Sequence, residues 1–284
     1  MISTRRPNEL ASPIRLERIC RISALVDAIV CPEESDRLYD FSPQWSKTQR
    51  LARYDDHGDE SCFVWFSPAG TVIMAWSKAG GTADPDDVFH GLPAELQDAR
   101  SEPAFGAEVS FALWRTTKDD RWRAGKTRKD DGSASVLERF EDHPLSYLKV
   151  AREVYARAIP MKGVDAIWRG RSLTPARVLQ IGGEDADVEA AIALARTLEL
   201  PATMGDPVTG APALPGKPPV APRTSGKMPS PGSHDTFFVV AIDGDVVTLG
   251  FGGKPVLTRK HADLYDHLYD YVRRTIEGTK DREP

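Results

Sequence analysis

The chain has 284 residues, 40% of them hydrophobic and 28% charged, a balance that supports one large domain or two smaller ones with real cores and requires neither metal nor disulfide to fold. Its formal net charge of −5 argues against a general coat for nucleic acid, because that binding draws on cationic side chains that release phosphate counterions. No stretch approaches the roughly 20 apolar residues of a membrane span, and the charged opening Met-Ile-Ser-Thr-Arg-Arg lacks the apolar run of a signal peptide, so a cytoplasmic protein without membrane contact is expected.

The first predicted element is a helix over residues 12–30, with Ser12 as N-cap, Pro13 at the first helical position, and Ile19, Ile22, Val26 and Ile29 as an apolar stripe. Arg15, Arg18 and Arg21 decorate one side and read as a solvated face, with a basic docking face as the alternative. Cys20, Cys31 and Cys62 have no CxxC spacing and cannot all pair, which suits small core residues better than a disulfide scaffold or a zinc knuckle.

From Gln49 to Trp76 the pattern changes to short β-branched and aromatic runs, broken at Asp55-Asp56-His57-Gly58-Asp59 and at Ser67-Pro68-Ala69-Gly70, and this predicts antiparallel strands. The run Cys62-Phe63-Val64-Trp65-Phe66 is apolar at every position, so both faces of that central strand must be covered. Helix is predicted at Pro93–Arg100, strand at Val109–Arg115, helix at Leu145–Ala158, strand at Val164–Trp168, and helices after Thr174-Pro175 and over Asp187–Leu200. Strands first and helices later predict an α+β fold, an antiparallel sheet with helices packed on it, over residues 1–200.

Residues 201–235 contain Pro-Ala-Leu-Pro-Gly-Lys-Pro-Pro and read as a Pro/Gly-rich linker, with the PxxP at Pro212–Pro215 as a polyproline ligand in the alternative reading. Residues 236–284 then predict a small C-terminal module: a β-hairpin of Phe237–Ile242 and Val246–Phe251 turning at Asp243-Gly244, followed by a helix over His261–Glu277.

No HExxH, GxSxG, phosphate-binding loop or strand with GxGxxG is present. Without such a motif no enzyme family is supported, a non-catalytic role is favoured, and no cofactor or metal is expected. Asp55, Asp56, His57, Asp59 and Glu60 gather oxygen ligands and an imidazole, but in an order unlike a calcium loop, so a solvated turn is the simpler reading and a metal-dependent hydrolase the alternative. His261 and His267 stand six apart on one predicted helix and face different ways, and Asp263 with His267 reads as a surface hydrogen bond. The strongest electrostatic feature runs from Trp114 and Arg115 through Lys118, Arg121, Trp122, Arg123, Lys126 and Arg128 to Lys129. Cations interleaved with tryptophans could bind a phosphate backbone and stack a base. Asp119, Asp120, Asp130 and Asp131 interrupt them, which favours a hairpin anchored by its tryptophans.

Trp45, Gly58-Asp59-Glu60, Phe66-Ser67-Pro68-Ala69-Gly70, Leu92-Pro93-Ala94-Glu95, Glu102-Pro103-Ala104-Phe105 and Leu113-Trp114-Arg115 ahead of Trp122 occur in that order. Over residues 40–125, with a weaker echo at Ser172-Leu173-Thr174-Pro175, the chain resembles a family of uncharacterised bacterial proteins. Members of that family commonly carry a His-Glu-Ser sequence after the second strand, where this chain has Ser77-Lys78-Ala79-Gly80. The resemblance implies a small α+β bacterial protein of the immunity-like kind, which neutralises a toxin by binding it. Together these features predict a non-catalytic, immunity-like or regulatory protein-binding module that meets a basic protein partner through Asp55, Asp56, Asp59, Glu60, Asp84, Asp86 and Asp87. A nucleic-acid-associated protein using the segment 114–129 is the alternative.

Overall fold

A computed structural model describes residues 2–105 and 108–204, and beyond them the backbone of 237–243, 246–251 and 254–260. The chain divides into two compact units, Met1–Thr209 and Gly210–Pro284. The first is α+β. Its centre is a six-stranded antiparallel sheet in which every strand pairs with its neighbour in sequence: β1 (Tyr39–Ser42), β2 (Arg50–Asp55), β3 (Glu60–Ser67), β4 (Gly70–Ser77), β5 (Phe111–Thr116) and β6 (Arg123–Ala124).

The all-apolar run in β3 meets a core on each face, as its composition requires. Cys62, Val64 and Phe66 join the larger core, and Phe63 and Trp65 face a smaller one. In register with Cys62, Tyr54 and Tyr39 continue the same row toward the sheet edge.

Over the larger face lies α1 (Pro13–Val30), which begins after Ser12 with Pro13 at its first position and buries Leu16, Ile19, Ile22, Val26 and Ile29. Pro32 cannot continue the helix. The three cysteines are buried and free. Between β4 and β5 the chain leaves the sheet, forms α2 (Pro85–Val88) and a 3-10 helix (Ala94–Ser101), and lays Val88, Phe89, Leu92, Leu96, Ala99 and Phe105 on the second face. At about 1.5–3 kcal/mol for each large apolar side chain, this contact is the main attachment of that layer. After β6 follow α3 (Ser133–Glu138), α4 (Pro144–Tyr155), α5 (Met161–Trp168), α6 (Pro175–Gly182) and α7 (Val188–Thr197), whose apolar sides complete the larger core. Thr174 and Asp187 cap α6 and α7 through their side chains.

The structure corrects the sequence-based expectation at several elements. Val164–Trp168, read as a strand, lies within α5, where Pro160 caps the start and Val164, Ile167 and Trp168 share the helical period. The helix expected at 93–100 takes 3-10 geometry. Residues 201–203, expected to open the linker, pair with Leu173: Leu173 N–H donates to the Pro201 carbonyl at 2.7 Å and Thr203 N–H donates to the Leu173 carbonyl at 2.9 Å. In the second unit the expected hairpin, β7 (Phe237–Asp243) with β8 (Val246–Phe251), gains an unpredicted third strand, β9 (Lys254–Lys260), in an antiparallel meander. The remainder of the expected linker, 205–235, and the expected helix His261–Glu277 lie outside the described residues. Among the described residues no helix is long and apolar enough to cross a membrane.

Candidate functional site

Consecutive antiparallel strands send alternate connections to opposite ends of the sheet. The β2–β3 turn and the long β4–β5 excursion therefore share one end, and the β1–β2 and β5–β6 loops the other. Asp55, Asp56, Asp59 and Glu60 belong to that turn; Asp84, Asp86 and Asp87 belong to the excursion.

Within the turn, most carboxylates have local work. Asp56 accepts from the backbone N–H groups of Gly58, Asp59 and Glu60 at 3.0, 2.8 and 2.8 Å, and Asp55 accepts from His57 N–H at 2.8 Å. These bonds support His57 in its left-handed conformation, with φ 59°. Asp59 pairs with Lys78 at 2.8 Å, and this hydrogen bond raises the lysine's pKa. Glu60 lies 3.5 Å from Arg139, both side chains largely buried. The order of partners leaves no open set of oxygens, and among the described residues no three His, Cys, Asp or Glu side chains are placed to hold a metal ion.

On the excursion, Asp84 caps α2 by accepting from Asp86 N–H at 2.9 Å, Asp86 pairs with Arg100 at 2.5 Å, and Asp87 pairs with Lys126 at 2.6 Å. Beyond these three, residues 78–110 also carry Glu95, Asp98, Glu102 and Glu108, so seven carboxylates stand against Lys78 and Arg100. Glu95 and Asp98 are exposed, and their carboxylates make no ion pair or hydrogen bond among the described residues. Sequence reasoning singled out only the first three of these acids, because the other four are scattered singly through Pro/Ala-rich stretches and become one surface only when the excursion folds back over the sheet.

The basic segment is divided by the β5–β6 hairpin. At the far end of the sheet, Arg115 donates to the Asp119 carbonyl at 3.1 Å, Arg123 pairs with Asp119 at 3.2 Å and Arg121 with Asp120 at 3.3 Å. Hydrogen bonds from Thr116, then from Arg123, hold the Asp119 carboxyl below its ordinary range. Lys118 is exposed there without an ion pair among the described residues. Past β6 the chain returns toward the acidic end, where Lys126 meets Asp87 and Arg128 donates to the carbonyls of Gly81 and Ser110, each at 3.2 Å. Lys129 lines an open depression with Arg5, Asp131 and Ser133. Trp122 is 2% exposed and donates its indole N–H to the Ala11 carbonyl at 2.9 Å, and Trp114 is 1% exposed in the opposite core. With both rings buried, no platform is left for stacking a base.

Arg15, Arg18 and Arg21 are likewise engaged, with Asp142, with the Trp168 carbonyl, and with Glu17, Glu199 and the Leu198 carbonyl. The most demanding polar site in the unit escaped sequence reasoning. Asp27 is fully buried, and its carboxylate accepts from Leu38 N–H (2.7 Å), Tyr39 N–H (3.0 Å), Tyr147 O–H (2.9 Å) and Tyr155 O–H (3.1 Å). Burial pushes its pKa up, against those four donors. A carboxylate inside the apolar stripe of a helix, four residues after the buried Ser23, was the available signal.

No family model matches the chain, and neither a curated protein nor a solved structure does. The short sequence words on which the resemblance is read occupy turns and packing positions. Ser67 accepts from Ala69 and Gly70 N–H in the β3–β4 turn, a Cβ on Gly70 would lie 2.4 Å from the Arg115 carbonyl oxygen, and Leu92 and Phe105 pack under the excursion.

Proposed function

We propose that this chain is a non-catalytic bacterial protein-binding module, immunity-like or regulatory, which meets a basic protein partner at the acidic end of its sheet. The observation that carries this reading is the β4–β5 excursion, with seven carboxylates against two cations of its own and the packed-on Lys126 and Arg128, beside the Asp55–Glu60 turn. A surface of one sign steers an oppositely charged partner and rejects like-charged ones, and it does so most at low salt. Because Asp56 and Asp84 are committed to their own backbone, Glu95 and Asp98 are the side chains free to meet cations from outside.

Affinity purification from the native host with the full chain as bait tests this reading. One stoichiometric, basic protein is expected, retained less as salt rises. The variant with Glu95→Lys and Asp98→Lys together should lose about tenfold or more in affinity while melting as the parent does, given about 1.4 kcal/mol per tenfold. Repeated recovery of no partner, or a partner indifferent to both reversals, would reject it.

A further inference from the structure

Residues 78–110 leave the sheet after β4 and rejoin it at β5, yet these two strands are paired directly, from Gly70 with Thr116 to Ala75 with Phe111. The excursion is an insertion in a hairpin, and nothing in the strand pairing depends on where it lies. Among the described residues, every hydrogen bond made by residues 83–105 closes within the excursion or ends on Lys126, whose backbone N–H and ammonium reach Asp87 at 2.9 and 2.6 Å. None crosses to a strand. The longest element of the layer is a 3-10 helix of eight residues, a geometry that seldom persists beyond three or four.

Beneath it, Trp65 of β3 and Trp114 of β5 flank Val72 in one row across the sheet. They are 2% and 1% exposed and belong to the smaller core that the excursion covers. Among the described residues the layer over them is held on the strands by apolar contact alone, so the exchange of their indole N–H groups reports directly on whether that layer opens.

We infer that residues 83–105 are a lid, which lifts as a unit while β1–β6 stay paired and uncovers an apolar face centred on Trp65, Val72 and Trp114. That face is the apolar centre of the partner-binding surface whose acidic part the lid carries. Buried aromatic anchors inside a charged surround are the usual distribution of binding energy at protein interfaces. The link to a partner rests on the binding reading proposed above; the opening is a property of the free chain.

Hydrogen exchange on the free full-length protein, followed by NMR, tests the opening. The indole N–H groups of Trp65 and Trp114 should share one protection factor with the Leu96 and Ala99 amides, about 100-fold or more below that of the Val64 and Ile73 amides in β3 and β4, as expected for a sub-global opening. Indole protection equal to that of the strand amides would overturn the lid. The outcomes separate from those of affinity purification. Low indole protection with no partner recovered keeps the lid and removes the binding reading, whereas a recovered partner with strand-like indole protection does the reverse.

Discussion

Asp27 sets the residue-scale energetics of the first unit, because its four donors come from two separate parts of the chain: the β1 entry at Leu38 and Tyr39, and Tyr147 and Tyr155 on α4. The carboxylate thereby ties α1, the sheet edge and α4 together. Its location was half legible, since an Asp in an apolar stripe is conspicuous; its partners were not, since Tyr147 and Tyr155 lie 120 and 128 residues away. Asp27→Ala should cost about 3–5 kcal/mol in denaturant unfolding, because it leaves buried donors without an acceptor, and Tyr147→Phe about 1 kcal/mol. The pH dependence has a definite sign. Burial raises the folded pKa above the ordinary value of 3.8, so the folded chain holds this proton more tightly than the unfolded chain does. Stability contributed by the protonated form is full below that value and is lost as pH rises through the folded pKa. The difference in stability between parent and Asp27→Asn, measured from pH 3 upward, should therefore shift against the parent with rising pH; a shift in its favour would contradict the buried, proton-retaining site.

At the scale of elements, period and capping residues revealed most of what local sequence controls. The strands of the 49–76 region, α1, α4, α6 and α7 follow from apolar spacing and from Ser12, Thr174 and Asp187 at helix starts. Failures fell where a short apolar run has no decisive period: Val164–Trp168 is five residues long and alternates as well as it winds. β1 and β6 escaped because edge strands of four and two residues are specified by their neighbours. The return strap after β6 illustrates a constraint that no local pattern carries. Gly125 passes so close to α2 that a Cβ on it would fall 1.9 Å from the Val88 carbonyl oxygen, whereas a Cβ on Gly58 meets nothing nearer than 3.9 Å. Gly125→Ala should therefore lower stability by about 2 kcal/mol or more, as backbone has to shift, while Gly58→Ala should stay within about 0.5 kcal/mol. Equal melting curves for the two variants would show that the strap is not in contact with α2.

For the whole molecule, the fold class was legible because both faces of β3 had to be covered, but the candidate surface was legible only in part. Asp55–Glu60 and Asp84–Asp87 could be chosen as acidic groups; that a meander brings their connections to one end, and that Glu95, Asp98, Glu102 and Glu108 extend the charge, follows from topology. The basic segment failed as a stripe for the same reason, since a hairpin bends it to two ends of the sheet. Stability of the first unit is a separate matter, and here the two cores are decisive. Among the described residues, every member of both, including the partly buried Leu200 and Ala202 at the margin, lies between positions 2 and 202, and Leu173 closes the end of the unit by pairing with 201–203. A chain ending at residue 204 should therefore fold alone, with the parent's near-ultraviolet circular dichroism over its own aromatic residues. Its melting temperature should match that of the corresponding transition in the full chain to within about 4 °C, the shift that about 1 kcal/mol produces at this size. Ending instead at residue 172 removes Leu173, Val178, Ile181, Ile192 and Leu198 from the larger core, and at about 1.5–3 kcal/mol each their loss exceeds the net stability of an ordinary domain, so that chain should not fold. If the longer chain also failed to fold cooperatively, residues beyond 204 would have to supply part of the core, and the division of the chain after the first unit would be wrong.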